Sequence, residues 1–205
     1  MTIKIAIIVG STRPGRNGNV RGIPRKGGDV GRWVLDLASK RDDAEFELID
    51  LAEIDLPLFD EPFTPMMARY TRPHTETWSQ TVDRFDGYVF VTPEYNHAPP
   101  AALKNAIDYL YAEWTNKAAG FVGYGVFGGA RAVEQLRSMM GELQIADVSA
   151  QVGLGLYTDF EDLQHLRPMP HQEEDLTEML DQLVAGAGAL APLRARNKEG
   201  TPQKP

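Results

Sequence analysis

From Ile3 to Val9 the chain is apolar at six of seven positions, and the run stops abruptly at Gly10. A strand with no polar face belongs inside a parallel sheet that is covered on both sides. The pattern returns at Tyr88 to Val91 and Ala118 to Tyr124, with further strand candidates at Phe46 to Ile49 and Ala146 to Ala150. Helical stripes alternate with these runs: Val30, Trp33, Val34, Leu37; Trp78, Val82, Phe85; Leu103, Ala106, Ile107, Leu110; Val133, Leu136, Met140, Leu143; and Leu176, Met179, Leu180, Leu183, Val184. Strand and helix in alternation predict an α/β fold: a doubly wound, five-stranded parallel sheet in the order 2-1-3-4-5, with helices on both faces.

Asp29 is expected to cap the first helix, which runs to about Lys40, and Pro99 and Pro100 suit the first turn of the helix through Leu110. The Pro-rich stretch from Leu56 to Pro73 cannot be regular for long and should border a site or an interface. The 205 residues fit one domain, expected over 1–193, with 194–205 as a polar, disordered or loosely attached tail.

In that strand order the loops after strands 1, 3 and 4 meet at the carboxyl edge, where such sheets bind ligands. The first loop offers small residues, the hydroxyls of Ser11 and Thr12, and the guanidinium groups of Arg13 and Arg16, a set that suits a phosphate monoester. It is not a nucleoside triphosphate loop, because Arg16 and Asn17 stand where Lys and a metal-binding hydroxyl are needed. The second loop places Tyr95 beside Asn96; the third, Gly125 to Gly129, lets backbone approach a flat ring. A ligand with a phosphate at one end and an aromatic ring at the other is implied, and riboflavin monophosphate, FMN, matches it.

Composition narrows the alternatives. With no Cys there is no disulfide and no thiolate chemistry, and His74, His97, His165 and His171 lack metal-ligand spacing, so no metal site is expected. A formal net charge of −8 argues against a nucleic-acid partner. No apolar run approaches the roughly 18 residues of a membrane span, and Ile3 opens a strand at once, so a cytoplasmic protein without membrane contact is expected.

Four segments in order carry a resemblance: Gly10-Ser11-Thr12-Arg13-Pro14-Gly15-Arg16, Pro93-Glu94-Tyr95-Asn96-His97, Leu103-Lys104-Asn105-Ala106-Ile107-Asp108-Tyr109-Leu110 and Gly128-Gly129-Ala130-Arg131. To about residue 150 the chain resembles the NADPH-dependent FMN reductase family of flavodoxin-like proteins. The resemblance implies FMN as cofactor, NADPH or NADH as electron donor, and a small acceptor such as a quinone, azo compound, chromate or flavin. It also implies a homodimer or homotetramer with the site near the subunit interface. By position, Ser11, Arg13 and Arg16 would hold the phosphate with Asn17 or Gly18 helping. Pro93, Glu94, Tyr95 and Asn96 would line the ring and ribityl side, and Gly125, Gly128 and Gly129 would approach the ring. The cofactor carries the hard chemistry, so no catalytic residue is assigned.

One departure is an insertion of roughly ten residues, about Asn19 to Gly28, carrying Arg21, Arg25 and Lys26. It either extends the phosphate grip, touches a neighbouring subunit, attracts the extra phosphate of NADPH, or is an ordinary basic loop. Arg131 either meets the pyridine nucleotide or pairs with Glu134 one turn on, and Lys104 and Asp108 serve the helix or a subunit contact. Two other readings of the whole chain stand beside the reductase: an FMN electron carrier without NAD(P)H oxidation, and a non-catalytic interaction module.

Overall fold

A computed structural model of the chain describes residues 2–14 and 25–200. Five strands, β1 (Ile3–Val9), β2 (Ala44–Asp50), β3 (Gly87–Pro93), β4 (Ala118–Gly125) and β5 (Ala146–Gly155), form one sheet in the order β2-β1-β3-β4-β5. Every pairing in it is parallel, which is the doubly wound order expected from the alternation. The three most apolar runs lie together at its centre, and β3 and β4 are buried along their whole lengths.

Helices α3 (Pro73–Asp83), α4 (Ala101–Asp108) and α5 (Ala130–Glu142) cover one face, and α1 (Lys26–Ala38) and α6 (Pro170–Gly200) cover the other. A short helix α2 (Leu51–Ile54) follows β2. On the α3–α5 face Tyr88 meets Trp114 edge to face with ring centroids 4.9 Å apart, and Trp114 meets Trp78 at 6.3 Å. Both indole N–H groups donate to α4 carbonyls, Trp78 to Ala106 at 2.8 Å and Trp114 to Ile107 at 3.1 Å. These two buried indoles are therefore satisfied, and they fix α4 against the sheet.

Three boundaries differ from expectation. Helix α1 begins at Lys26, so Asp29 sits inside its first turn and pairs with Arg32 instead of capping. Helix α4 begins at Ala101, one residue after Pro100. The supposed tail from residue 194 is helical as far as Gly200, because Arg194 is anchored, its guanidinium 2.8 Å from the Asp86 carboxylate and donating to the Asn116 carbonyl at 3.2 Å. Beyond β5 a small antiparallel hairpin, β6 (Phe160–Glu161) and β7 (His165–Leu166), is an element that no periodicity in the sequence announces.

Candidate functional site

A cleft of about 350 Å³ opens at the carboxyl edge, within the size range of small-molecule sites. Six of the residues expected to hold a ligand line it: Ser11, Arg13, Pro93, Glu94, Tyr95 and Gly125. Arg16, Asn17 and Gly18 lie outside the described residues, as does most of the insertion. Asn96, Gly128 and Gly129 are not among its lining residues.

The first loop is braced through Ser11, which is buried. Its Oγ shares a hydrogen bond with the Tyr95 hydroxyl at 3.2 Å and accepts the Arg13 backbone N–H at 3.3 Å. The first turn of α1 lies against it: a Cβ on Gly27 would come within 2.8 Å of the Tyr124 hydroxyl and 3.2 Å of the Ser11 Cβ, so only glycine lets the helix start this close. The positive end of the helix dipole at that start favours an anion in the cleft. Burial pushes the Tyr124 hydroxyl up, keeping it protonated beside Ser11.

Arg25, immediately before α1, is the residue of most consequence outside the expected set. Its guanidinium pairs end-on with Asp50 at the end of β2, through both terminal nitrogens, and donates to the Ser11 carbonyl. The two side chains are only 20% and 14% exposed, and the Asp50 hydrogen bond, opposed by burial, raises the Arg25 pKa, so the charge is permanent. Asp50 in turn caps α2 by accepting the Ala52 N–H at 3.0 Å. The Arg25 Nε is buried and has no partner among the described residues, and Arg25 as a whole lines the cleft, bringing a fixed cation to it.

In the second loop Tyr95 and Ala98 exchange backbone hydrogen bonds of 2.9 and 3.0 Å around Asn96 and His97, both left-handed at φ 51° and 68°. This tight turn aims Tyr95 back at Ser11. Glu94, expected to face the ligand, spends its carboxylate on Arg131, accepting the backbone N–H at 3.1 Å and pairing with the guanidinium. The alternative pairing of Arg131 with Glu134 is not the one formed. The side chain of Glu94 is 8% exposed, and the pair ties the second loop to the start of α5. Replacing Glu94 by Ala should lower the unfolding free energy of FMN-free protein by about 1–2 kcal/mol in a urea titration. Glu94→Gln, which keeps an acceptor, should lose less.

In the third loop the Gly125 carbonyl accepts two N–H groups, Leu156 at 2.9 Å and Gly128 at 3.2 Å, folding the loop onto β5. Gly128 and Gly129 pack against the backbone of Gly153 and Gly123 and do not line the cleft.

A second cleft, of about 430 Å³, lies on the other flank of the first loop, between α2 and α4. Among the described residues its lining carries Asp55 and no Lys or Arg, so the larger space is the poorer one for a phosphate.

A sequence profile of the family described as NADPH-dependent FMN reductase matches residues 3–159. A Schizosaccharomyces pombe protein named NAD(P)H-dependent FMN reductase is 32% identical over 204 residues, spanning 98% of this chain and 96% of that one. A Nectria protein of the same name is 41% identical over 139 residues, 65% of each chain. The flavoenzyme NAD(P)H:acceptor oxidoreductase of Paracoccus denitrificans superposes with a TM-score of 0.66 at 21% identity, covering 92% of this chain and 98% of that one, which establishes the likeness of fold. With a matching profile over most of its length, this chain belongs to the NADPH-dependent FMN reductase family and is an NAD(P)H-dependent oxidoreductase of the FMN and quinone reductase class.

Proposed function

We propose that the cleft between the three loops holds FMN and that the chain uses NADPH or NADH to reduce a quinone. One observation carries this reading: Arg13, Arg25 and the first turn of α1 line the same cleft as Pro93, Tyr95 and Gly125. The residues fit the group. Arg25 and Arg13 both line the cleft, so two guanidinium groups are available there to a phosphate. Arg16, Asn17 and Gly18 extend the phosphate grip in this reading.

Bound FMN supplies two-electron hydride chemistry between NAD(P)H and the acceptor. NADPH, a quinone and one proton give NADP⁺ and the quinol. The side chains bind and orient: Arg25 and Arg13 neutralise the phosphate, Ser11 fixes the loop, and Tyr95 offers a flat surface beside the ring. No obligatory acid or base is needed among them. The acceptor reading is supported by the exposed rings of Phe127 and Tyr157 on the loops that wall the cleft, which suit a flat apolar molecule. A Pseudomonas putida protein named quinone reductase, 32% identical over 144 residues, supports the same acceptor class.

Assembly as a homodimer or homotetramer is part of this proposal. Leu58, Phe59, Met66 and Met67 stand exposed on the Pro-rich loop, yet the loop is pinned to α4. Asn105 accepts the Phe59 N–H at 2.9 Å and donates to the Pro57 carbonyl at 2.7 Å, while the Tyr109 hydroxyl bonds Asp60 at 3.1 Å. Burial, with Asp60, holds the Tyr109 hydroxyl up at about 12, so it remains a donor. An ordered apolar surface of this kind fits a second copy of the chain.

The deciding experiment is an anaerobic visible spectrum of the FMN-loaded protein before and after NADPH or NADH. Bleaching of the bound flavin band, with its return on adding a quinone, is expected. Binding without bleaching would make the chain an electron carrier, and failure to bind FMN would remove the site assignment.

A further inference from the structure

The β6–β7 hairpin turns through Asp162, Leu163 and Gln164, and both Asp162 and Leu163 are left-handed, at φ 52° and 56°. The turn is closed by the Gln164 N–H, which donates to the Glu161 carbonyl at 3.0 Å. Consecutive left-handed residues in a hairpin turn favour Asn-Gly or Asp-Gly. Asp162 satisfies the first place; Leu163 stands in the second, where a Cβ meets the carbonyl and the side chain has no polar group to compensate. Nor does burial repay it, since Leu163 is 48% exposed. For the chain alone this is a poor residue in a poor place.

The base of the hairpin is nonetheless held firmly. The Phe160 ring packs near Tyr124, with centroids 6.4 Å apart, and lies 5.9 Å from the Lys26 ammonium at the start of α1. Asp159, buried at the hairpin's foot, accepts from the Gly155 N–H and the Thr158 hydroxyl, both at 2.7 Å. The hairpin is therefore braced by β4, β5 and α1, the elements that build the cleft. Leu163 lines that cleft, together with Leu156. The family match ends at residue 159, just before the hairpin.

We propose that Leu163 is a ligand-contact residue, which forms an apolar outer wall of the FMN cleft and is covered when FMN binds. The proposal rests on the FMN reading above. A leucine side chain recognises apolar surface and not phosphate, so it complements Arg13 and Arg25 instead of duplicating them. Strain at an exposed apolar residue is explained when a ligand completes its burial.

The test compares FMN titrations, followed by flavin fluorescence, with thermal melts of FMN-free protein for the wild type, Leu163→Gly and Leu163→Asn. Leu163→Gly should raise the melting temperature of the FMN-free protein, because glycine relieves the turn, while raising the FMN dissociation constant about five-fold through lost apolar contact. Leu163→Asn, which tolerates the left-handed backbone without supplying an apolar side chain, should weaken FMN binding to a similar degree. Wild-type affinity in both variants would overturn the proposal, as would weakening confined to the glycine variant, which would point to turn stiffness instead. A wild-type chain that binds no FMN would instead remove the parent reading.

Discussion

Replacing Arg25 by Ala is expected to weaken FMN binding by about 30-fold, equivalent to ~2 kcal/mol, and to lower the unfolding free energy of the FMN-free protein by about 2–3 kcal/mol. The two effects have different origins. Stability falls because Asp50 loses its counter-charge while only 14% exposed, and because the Ser11 carbonyl loses a donor. Affinity falls because one of the cations that line the cleft disappears. Asp50→Asn separates them. The amide still accepts from Ala52 and Arg25 but carries no charge, so stability should drop while the guanidinium stays in the cleft. FMN affinity should then fall far less than in Arg25→Ala. Equal losses of affinity in the two variants would make Arg25 a structural clamp with no share in binding the phosphate. Unfolding must be followed without FMN, since a ligand that binds only the folded state adds its own stabilisation.

How far these features were legible in the sequence depended on how locally each was determined. The central strands were readable because a segment buried on both faces needs an uninterrupted apolar run, and Ile3 to Val9 supplies one that matches β1. The start of α1 was not, because Lys26-Gly27-Gly28 is a poor helical opening by propensity. It is chosen by tertiary contacts: Gly27 against Tyr124 and Ser11, and Arg25 against Asp50, 25 residues away. Arg131 shows the same limit. One-turn spacing pointed to Glu134, whereas its partner Glu94 comes from a different strand end, 37 residues earlier. Two-residue strands such as β6 and β7 have no periodicity to read, and Asp162-Leu163 does not look like a hairpin turn. Of the site itself, the three loops and their convergence followed from strand order, while the division of labour within the loops followed from side-chain pairs that no spacing rule reaches.

Gly129 shows how steeply that loop geometry depends on one atom. It opens α5 at φ 73°, and a Cβ there would lie 2.7 Å from the Tyr124 nitrogen and 2.9 Å from the Gly123 Cα, both backbone atoms that cannot swing aside. Gly129→Ala should therefore combine left-handed strain with a steric displacement and lower the unfolding free energy by about 3 kcal/mol or more. The displacement is transmitted to the cleft, because Glu94 N–H bonds the Tyr124 carbonyl at 3.0 Å and Arg131, two residues after Gly129, holds the Glu94 carboxylate. FMN affinity should fall with stability even though Gly129 does not line the cleft. Gly141 supplies the control within the same helix: nothing lies within 4 Å of the place a methyl group would take there, so Gly141→Ala should stabilise the protein by about 0.5–1 kcal/mol and leave FMN binding unchanged. Urea unfolding and FMN titration of the two variants side by side would decide it. An Ala at 129 that melts and binds like the wild type would mean that the third loop is free to move away from β4, and that the backbone packing does not set the shape of the cleft.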